Sequence, residues 1–484
     1  MIDLIKEYMA PMMFAGLVVF MVIGYPAAFS LAAVGLFFGL VAIELGVIAP
    51  DFLGNLTFQL FSVLSNDLLL AIPFFTLMGV ILERCGLAED LLEGFGQLFG
   101  GLRGGLSYAV ILVGAILGAI TGTVAASVIA MGLIALPVML KYGYNIRHAT
   151  GVIAASGTIT QLIPPSLVLV VLADQLQRPV GDMYRGAFGA SFVQVLLFSL
   201  WVLLLSVLRP RDVPPLPPEA RRLRGLALAW RCIRGMVPSI LLIFVVLGTI
   251  FLGLATPTEA GAMGVVGAFL LAASYGRLKW SMTYQGMQTT MRITSMVVFI
   301  LLGARTFSLV FQGIGGKEWI EGLLTTLPGG AIGFLVFVNV FIFIIAFFLD
   351  FFEIAFIIIP LLAPAATALG IDLVWFGVLL GANMQTSFMH PPFGFALFYL
   401  RGISPPSVRS SDIYWGALPW VALQLMLVAL LIAFPSIVTF FIDAPSTLNL
   451  DTIEVEIPST DSGSDLNSPP AIDLSEPPKF DEQP

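Results

Sequence analysis

Apolar residues run through this chain in stretches that match the thickness of a bilayer. Met12–Phe38, Ile240–Leu254, Ile332–Leu349 and Trp415–Phe434 are nearly unbroken runs of them, and about 20 residues of helix cross the hydrocarbon. The runs are continuous, which predicts helices; strands of a membrane barrel would alternate apolar and polar residues. Counting them gives roughly ten to twelve spans, with shorter pieces that re-enter. The expected fold is an all-α polytopic membrane protein.

Composition supports this. Of 484 residues, 58% are hydrophobic and 11% charged, with a mean hydropathy of +0.99. Soluble domains carry about 25% charged residues, so this chain cannot clothe a water-facing surface of its own size. The net charge of −8 is concentrated at one end. From Asp443 to Pro484 ten acids stand against Lys479 alone, a balance of −9 that leaves +1 for the other 442 residues. Seven of those 42 residues are Pro, and the segment is expected to be disordered and dispensable for the activity of the rest of the chain. Cys85 and Cys232 make neither a disulfide framework nor a metal cluster. No cleavable leader is expected, since Met1–Glu7 holds two acids and one Lys before a long apolar run.

The clearest punctuation is the stretch 209–234, with seven Arg, two acids and the sequence Val213-Pro-Pro-Leu-Pro-Pro-Glu219. Flanked by apolar spans, it reads as a cytoplasmic topology signal, not a nucleic-acid patch. It separates two halves, 1–208 and 235–442, that carry similar marks in the same order. Pro137 is followed 27 residues later by Pro164-Pro165, and Pro360 31 residues later by Pro391-Pro392. Between them, Tyr142-Gly-Tyr-Asn145 leads to Gly151, and Leu369-Gly-Ile-Asp372 leads to Gly377. Polar interruptions precede both Pro pairs, at Ser156-Gly-Thr-Ile-Thr-Gln161 and Gly381-Ala-Asn-Met-Gln-Thr-Ser387. The ordered series points to internal duplication. A Pro pair after a polar stretch breaks a helix inside the membrane, and the freed carbonyls must then line a cavity or bind something.

Four stretches are candidates for transport chemistry. Gly118-Ala-Ile-Thr-Gly-Thr-Val-Ala-Ala-Ser127 reads either as the tip of a re-entrant hairpin, whose hydroxyls and carbonyls suit a hard cation, or as a small-residue packing face. The breaks Gly157–Pro165 and Gly381–Pro392 combine amides, hydroxyls and Pro pairs, which packing faces do not need. Asp350 and Glu353 are acids in an apolar stretch, three apart on one helical face; the alternative is a loop at the membrane surface. Thr258 and Glu259 read as helix capping. Arg305 either faces an anionic substrate or snorkels to the interface. His148 and His390 each stand alone. No GxxxxGK[ST], CxxCH, HExxH or GxSxG motif occurs, so an enzyme is not expected, and energy must come from an ion gradient or a separate partner.

At these motifs the sequence resembles the large membrane subunit of the tripartite ATP-independent periplasmic (TRAP) transporters. The resembling stretches are Leu70-Ala-Ile-Pro-Phe-Phe75, Gly100-Gly-Leu-Arg-Gly-Gly-Leu106, Ile120-Thr-Gly-Thr123, Ile163-Pro-Pro-Ser166, Ala255-Thr-Pro-Thr-Glu-Ala260 and Pro391-Pro-Phe-Gly394. The segment from Gln385 to Arg401 is similar to the branch labelled for mannitol and chloroaromatic compounds. The resemblance implies an elevator-type fold with two inverted repeats, each holding a re-entrant hairpin (near 118–127 and 345–360) and a broken helix (near 151–175 and 372–400). It implies a multi-pass location in the bacterial inner membrane and import of small organic acids. Expected partners are a small four-helix membrane subunit and a periplasmic solute-binding protein, with Na⁺ as coupling ion and no cofactor. Carried over by motif, the Na⁺ sites fall on Thr123, Ser127, Gly157 and Pro164, and on Asp350, Gly381, Asn383 and Thr386. Thr121, Gln161, Gln385, Ser387 and Arg305 are the candidates for substrate contact. Three departures stand out: Thr-Gly-Thr for the common Ser-Gly-Ser, Ser127 where Asn is frequent, and His390 before the Pro pair where Thr is usual. The rival reading is a stand-alone Na⁺- or H⁺-coupled carrier of dicarboxylates or citrate.

Overall fold

A computed structural model describes residues 2–221, 225–392 and 394–442, without the side chains of Ile2, Asp3, Leu4 and Thr121. The acidic stretch 443–484, and Arg222 and Arg224 of the basic linker, lie outside the described residues. Every regular element among the described residues is helical. The first half runs α1 (Ile2–Glu7), α2 (Met9–Ile23), α3 (Ala27–Glu44), α4 (Asn55–Leu64), α5 (Asp67–Arg84), α6 (Leu87–Phe99), α7 (Gly105–Thr121), α8 (Val124–Lys141), α9 (Ile146–Thr158), α10 (Leu167–Gln175) and α11 (Val180–Leu208). The second runs α12 (Gly225–Phe251), α13 (Pro257–Ser274), α14 (Trp280–Gly313), α15 (Gly316–Thr325), α16 (Gly330–Ile345), α17 (Phe351–Glu353), α18 (Ile359–Ala368), α19 (Leu373–Met384), α20 (Phe395–Ile403), α21 (Ser410–Ala433) and α22 (Ser436–Thr439).

Among the described residues, eight helices are long and apolar enough to cross a bilayer, or up to ten if each bent pair counts as one span. With the bent pairs the total reaches the lower end of ten to twelve; it goes no higher because several apolar runs are cut into pieces too short to cross alone: α2 has 15 residues, α7 has 17 and α19 has 12.

The cuts come at equivalent places in both halves, and glycine makes most of them. Gly86 (φ 72°) and Gly315 (φ 79°) precede α6 and α15, while Gly104 (φ 76°) and Gly329 (φ 94°) precede α7 and α16. Glycine takes this left-handed conformation without the penalty a Cβ would bring, and the chain turns sharply; α15 and α16 meet at 114°. At 13 and 10 residues, α6 and α15 are about 20 and 15 Å long and cannot span. Each buries one apolar face (Leu87, Leu91, Leu92 and Phe95; Ile320 and Leu324). Charges lie along the rest (Glu89, Asp90 and Glu93; Lys317, Glu318 and Glu321), the pattern of helices lying at an interface.

Two hairpins follow. Helix α7 turns at Gly122 (φ 62°) and Thr123 into α8. Helix α16 turns through residues 346–350 into a continuous apolar helix, Phe351–Ala368, built of α17, one π-helical turn (Ile354–Ile358) and α18. Asn145 and Asp372 then cap α9 and α19, their side chains accepting the N–H groups of Arg147 and His148, and of Trp375. Both capped helices tighten into 3₁₀ turns, Ile159–Gln161 and Gln385–Met389, and restart beyond the Pro pairs as α10 and α20.

The halves interlock. Helix α11 packs on α19, and α21 packs on α9. At the second crossing a Cβ on Gly151 would lie 2.2 Å from the Gly416 carbonyl oxygen, and one on Gly416 2.2 Å from that of Arg147, so only glycine allows this approach. The linker is fastened rather than loose: Leu216 N–H donates to Gly100 O (2.7 Å), Gly104 N–H to Val213 O and Asn145 N–H to Asp212 O (both 2.9 Å). Arg231 and Arg234 of the basic stretch already belong to α12, and Arg231 pairs with Asp90 (3.0 Å) and Glu93 (2.7 Å) on α6.

Candidate functional site

The first hairpin is pressed against the first break. A Cβ on Gly118 would sit 2.9 Å from Thr160 Cα, and one on Gly157 2.3 Å from the Val128 side chain. Their small size therefore serves packing, but the surfaces they bring together are polar. Thr160 Oγ1 donates to Gly157 O at 2.7 Å and lies 3.2 Å from Ser127 Oγ, with both residues fully buried. Thr123, at the tip, immediately precedes α8 without a side-chain capping bond.

Past the 3₁₀ turn, hydroxyls collect the carbonyls that a Pro pair leaves without helical partners. Ser166 Oγ donates to Gln161 O (2.5 Å) and accepts from Val168 N, and Ser191 Oγ donates to Leu162 O (2.9 Å). Pro164 lies in the turn between them. Two buried atoms stay unmet, Ser156 Oγ and Gln161 Oε1.

The second break uses amides where the first uses hydroxyls. Asn383 Nδ2 donates to Asn339 O (2.7 Å) and Asn339 Oδ1 (3.0 Å), and Gln194 Nε2 donates to Gln385 Oε1 (2.7 Å). Asn383 Oδ1, Thr386 Oγ1 and Gln385 Nε2 are buried without a partner. Gly381 faces Leu172, to which a Cβ would come within 3.3 Å, and Ser387 is buried. The ring of His390 is wedged between Phe343 (centroids 4.4 Å) and Phe347 (4.0 Å, nearly parallel), and neither ring nitrogen has a partner among the described residues.

At the second hairpin tip, Asp350 and Glu353 form a capping box. Glu353 N–H donates to Asp350 Oδ1 (2.9 Å), and Asp350 N–H donates to Glu353 Oε2 (3.0 Å). Thr256 and Glu259 make the same arrangement at the start of α13, and Thr258 Oγ1 donates to Asp67 O. His148 is a core histidine bonded to Ser107 Oγ at 2.8 Å. Arg305 is half-buried on α14, eight residues before its end, and has no hydrogen bond or ion pair among the described residues. The side chain of Thr121 lies outside the described residues.

Position by position, the two halves carry related chemistry. Asn339 is nine residues after Gly330, the start of α16; Gly114 is nine after Gly105, the start of α7. Asn383 is nine residues before Pro392; Ser156 is nine before Pro165. The Asn339–Asn383 contact in one half is a Gly114–Ser156 contact in the other, where a Cβ on the glycine would lie 2.7 Å from Ser156 Cβ.

Asn339, Gln194 and Gln424 had not been singled out in the sequence. Gln194, Asn339 and Gln424 are lone amides in long apolar helices, and the cost of burying an amide in hydrocarbon was the available signal. A buried unmet polar atom costs about 1–3 kcal/mol, and Ser156, Gln161, Asn383, Gln385 and Thr386 place several at the two breaks. Such atoms suit a hard cation or a polar solute; no group of three or more His, Cys, Asp or Glu suited to a metal ion occurs among the described residues.

The family described as "Tripartite ATP-independent periplasmic transporter, DctM component" matches residues 14–437. The chain belongs to this family. Similar DctM proteins include the C4-dicarboxylate TRAP transporter large permease of Pseudomonas aeruginosa, 31% identical over 82% of this chain and 91% of its own length. The sialic acid TRAP transporter large permease of Vibrio cholerae is 25% identical over 85% of this chain and 93% of its own. The isethionate TRAP transporter permease DctMQ of Oleidesulfovibrio alaskensis is 26% identical over 89% of this chain but 66% of its own. Among solved structures, the YdaH transporter of Alcanivorax borkumensis, noted for an unusual topology, superposes with a TM-score of 0.53 at 18% identity, over 80% of this chain and 88% of that one. That likeness speaks to fold alone. This DctM-family chain is a polytopic all-α membrane permease and not an enzyme.

Proposed function

We propose that this DctM-family permease is the transport-catalysing large subunit of a Na⁺-coupled importer of small organic acids in the bacterial inner membrane. The observation that carries the reading is the pair of buried helix breaks, each facing a hairpin and each holding polar side-chain atoms that no described residue satisfies. Na⁺ would be held at the first break by oxygens of Thr123, Ser127, Gly157 and Pro164, and at the second by those of Asp350, Gly381, Asn383 and Thr386. Gln161, Gln385, Ser387, Thr121 and Arg305 would face the substrate. Broken helices repeated in two halves support inverted repeats and elevator-type movement. Relatives named for C4-dicarboxylates and sialic acid favour an acid as cargo. The third of the DctMQ relative that this chain does not cover leaves room for a small membrane subunit, and a periplasmic binding protein would deliver the substrate.

The test is uptake by proteoliposomes holding this chain with its small subunit and binding protein, with external Na⁺ replaced by K⁺ or choline. Loss of uptake is expected. Undiminished uptake driven by an inward proton gradient would overturn Na⁺ coupling.

A further inference from the structure

Two hydrogen bonds tie the halves together from matching positions. Gln194 stands 14 residues after Val180, the first residue of α11, and Gln424 stands 14 after Ser410, the first residue of α21. Gln194 Nε2 donates to Gln385 Oε1 at 2.7 Å, and Gln424 Nε2 donates to Thr158 Oγ1 at 2.8 Å. Gln385 lies seven residues before Pro392, and Thr158 seven before Pro165. Each bond therefore runs from the last long helix of one half to the place in the other half where an α-helix gives way to a 3₁₀ turn.

Packing does not call for these glutamines. Both have 0% exposure, both sit in apolar helices, and Gln194 Oε1 and Gln424 Oε1 have no partner among the described residues. A methionine would fill the same volume without stranding a polar atom. What the amides supply is a directed bond to a helix end that has lost its own continuation. Because each bond crosses between halves, neither break can shift its register alone.

We propose that Gln194 and Gln424 are positioning residues, a pair of reciprocal amide braces that hold each half's break against the other half, so that both candidate ion sites move as one body. The inference rests on reading the breaks as the transport site, but its test needs neither Na⁺ nor substrate. Backbone hydrogen–deuterium exchange is measured on the purified chain in micelles. With Gln194→Met, exchange across 381–389 rises by about tenfold or more, as expected when a local opening becomes easier, while 155–161 stays as in the parent chain. Gln424→Met gives the reverse pattern. Gln385→Met removes the first brace from its other end and reproduces the Gln194→Met pattern, and the double Gln194→Met/Gln385→Met variant adds nothing further. A change confined to α11 with Gln194→Met or to α21 with Gln424→Met, an equal rise at both breaks, no rise at either, or an additive double variant would each overturn the proposal. Na⁺-independent uptake with the cross-half pattern intact would overturn the coupling reading and leave the braces standing.

Discussion

At the scale of single residues, the polar atoms at the two breaks divide into those that hold the fold and those left for a ligand. Thr160, Ser166 and Ser191 bond to carbonyls near the first break, whereas Asn383 Oδ1 and Thr386 Oγ1 have no partner among the described residues. Asn383→Ala and Thr386→Val are each expected to raise the Na⁺ concentration for half-maximal uptake by about tenfold, equivalent to about 1.4 kcal/mol. Folding should be little changed by Thr386→Val, since its hydroxyl has no partner to lose; Na⁺ titration of uptake alongside thermal melts checks both. Asp350 needs a sharper comparison because its carboxylate also caps a helix. Asn caps as well as Asp, whereas Ala costs about 1 kcal/mol. Asp350→Asn should keep the melting temperature and weaken Na⁺ dependence, while Asp350→Ala should lower both. Equal Na⁺ dependence for Asp350→Asn and the parent chain would leave Asp350 a cap and nothing more.

At the scale of elements, helices approach closely only where a side chain is missing. The crossing of α9 with α21 depends on Gly151 and Gly416, each facing the other helix's backbone carbonyl. A backbone oxygen cannot rotate away as a flexible side chain can. Gly151→Leu is expected to force the helices apart and destabilise by about 1–3 kcal/mol, visible as a lower melting temperature and reduced yield of monodisperse protein. Gly322, inside α15 with nothing near it, is the control: Gly322→Ala should be neutral or stabilise by about 0.5–1 kcal/mol. Short helices α6 and α15 follow the same logic of turns set by left-handed glycines. A Cβ at Gly315 would meet no neighbour yet would still be strained by its φ of 79°.

At the scale of the whole molecule, the described chain contributes hairpins, breaks and lipid-facing helices. Large apolar side chains such as Phe29, Phe37, Phe58, Phe61, Phe192 and Phe244 lie exposed on its surface, as lipid or a membrane partner requires. The family is described as one component of a tripartite transporter, so the chain alone is expected to give little or no uptake in proteoliposomes. Adding the small subunit and binding protein should restore it. Robust uptake by the single chain would favour the stand-alone carrier.

The apolar runs, the paired Pro-Pro breaks and the polar stretches before them were legible in the sequence because each is local: spacing and residue type alone show where a helix must stop. The family was legible for the same reason, as its motifs surround those stops. The partners of the polar groups were not legible. Gln194 and Gln385 are 191 residues apart, and Gln424 and Thr158 are 266 apart, so no periodicity within an element could join them. Asp350 and Glu353 show the opposite limit: their spacing fitted a helical face, and only the backbone geometry made them a capping box. His390 stood alone in the sequence, and only the packed structure sets its surroundings, by stacking on Phe343 and Phe347. Where chain direction decides, the sequence is enough; where two distant elements must meet to satisfy a buried polar atom, only the packed structure decides.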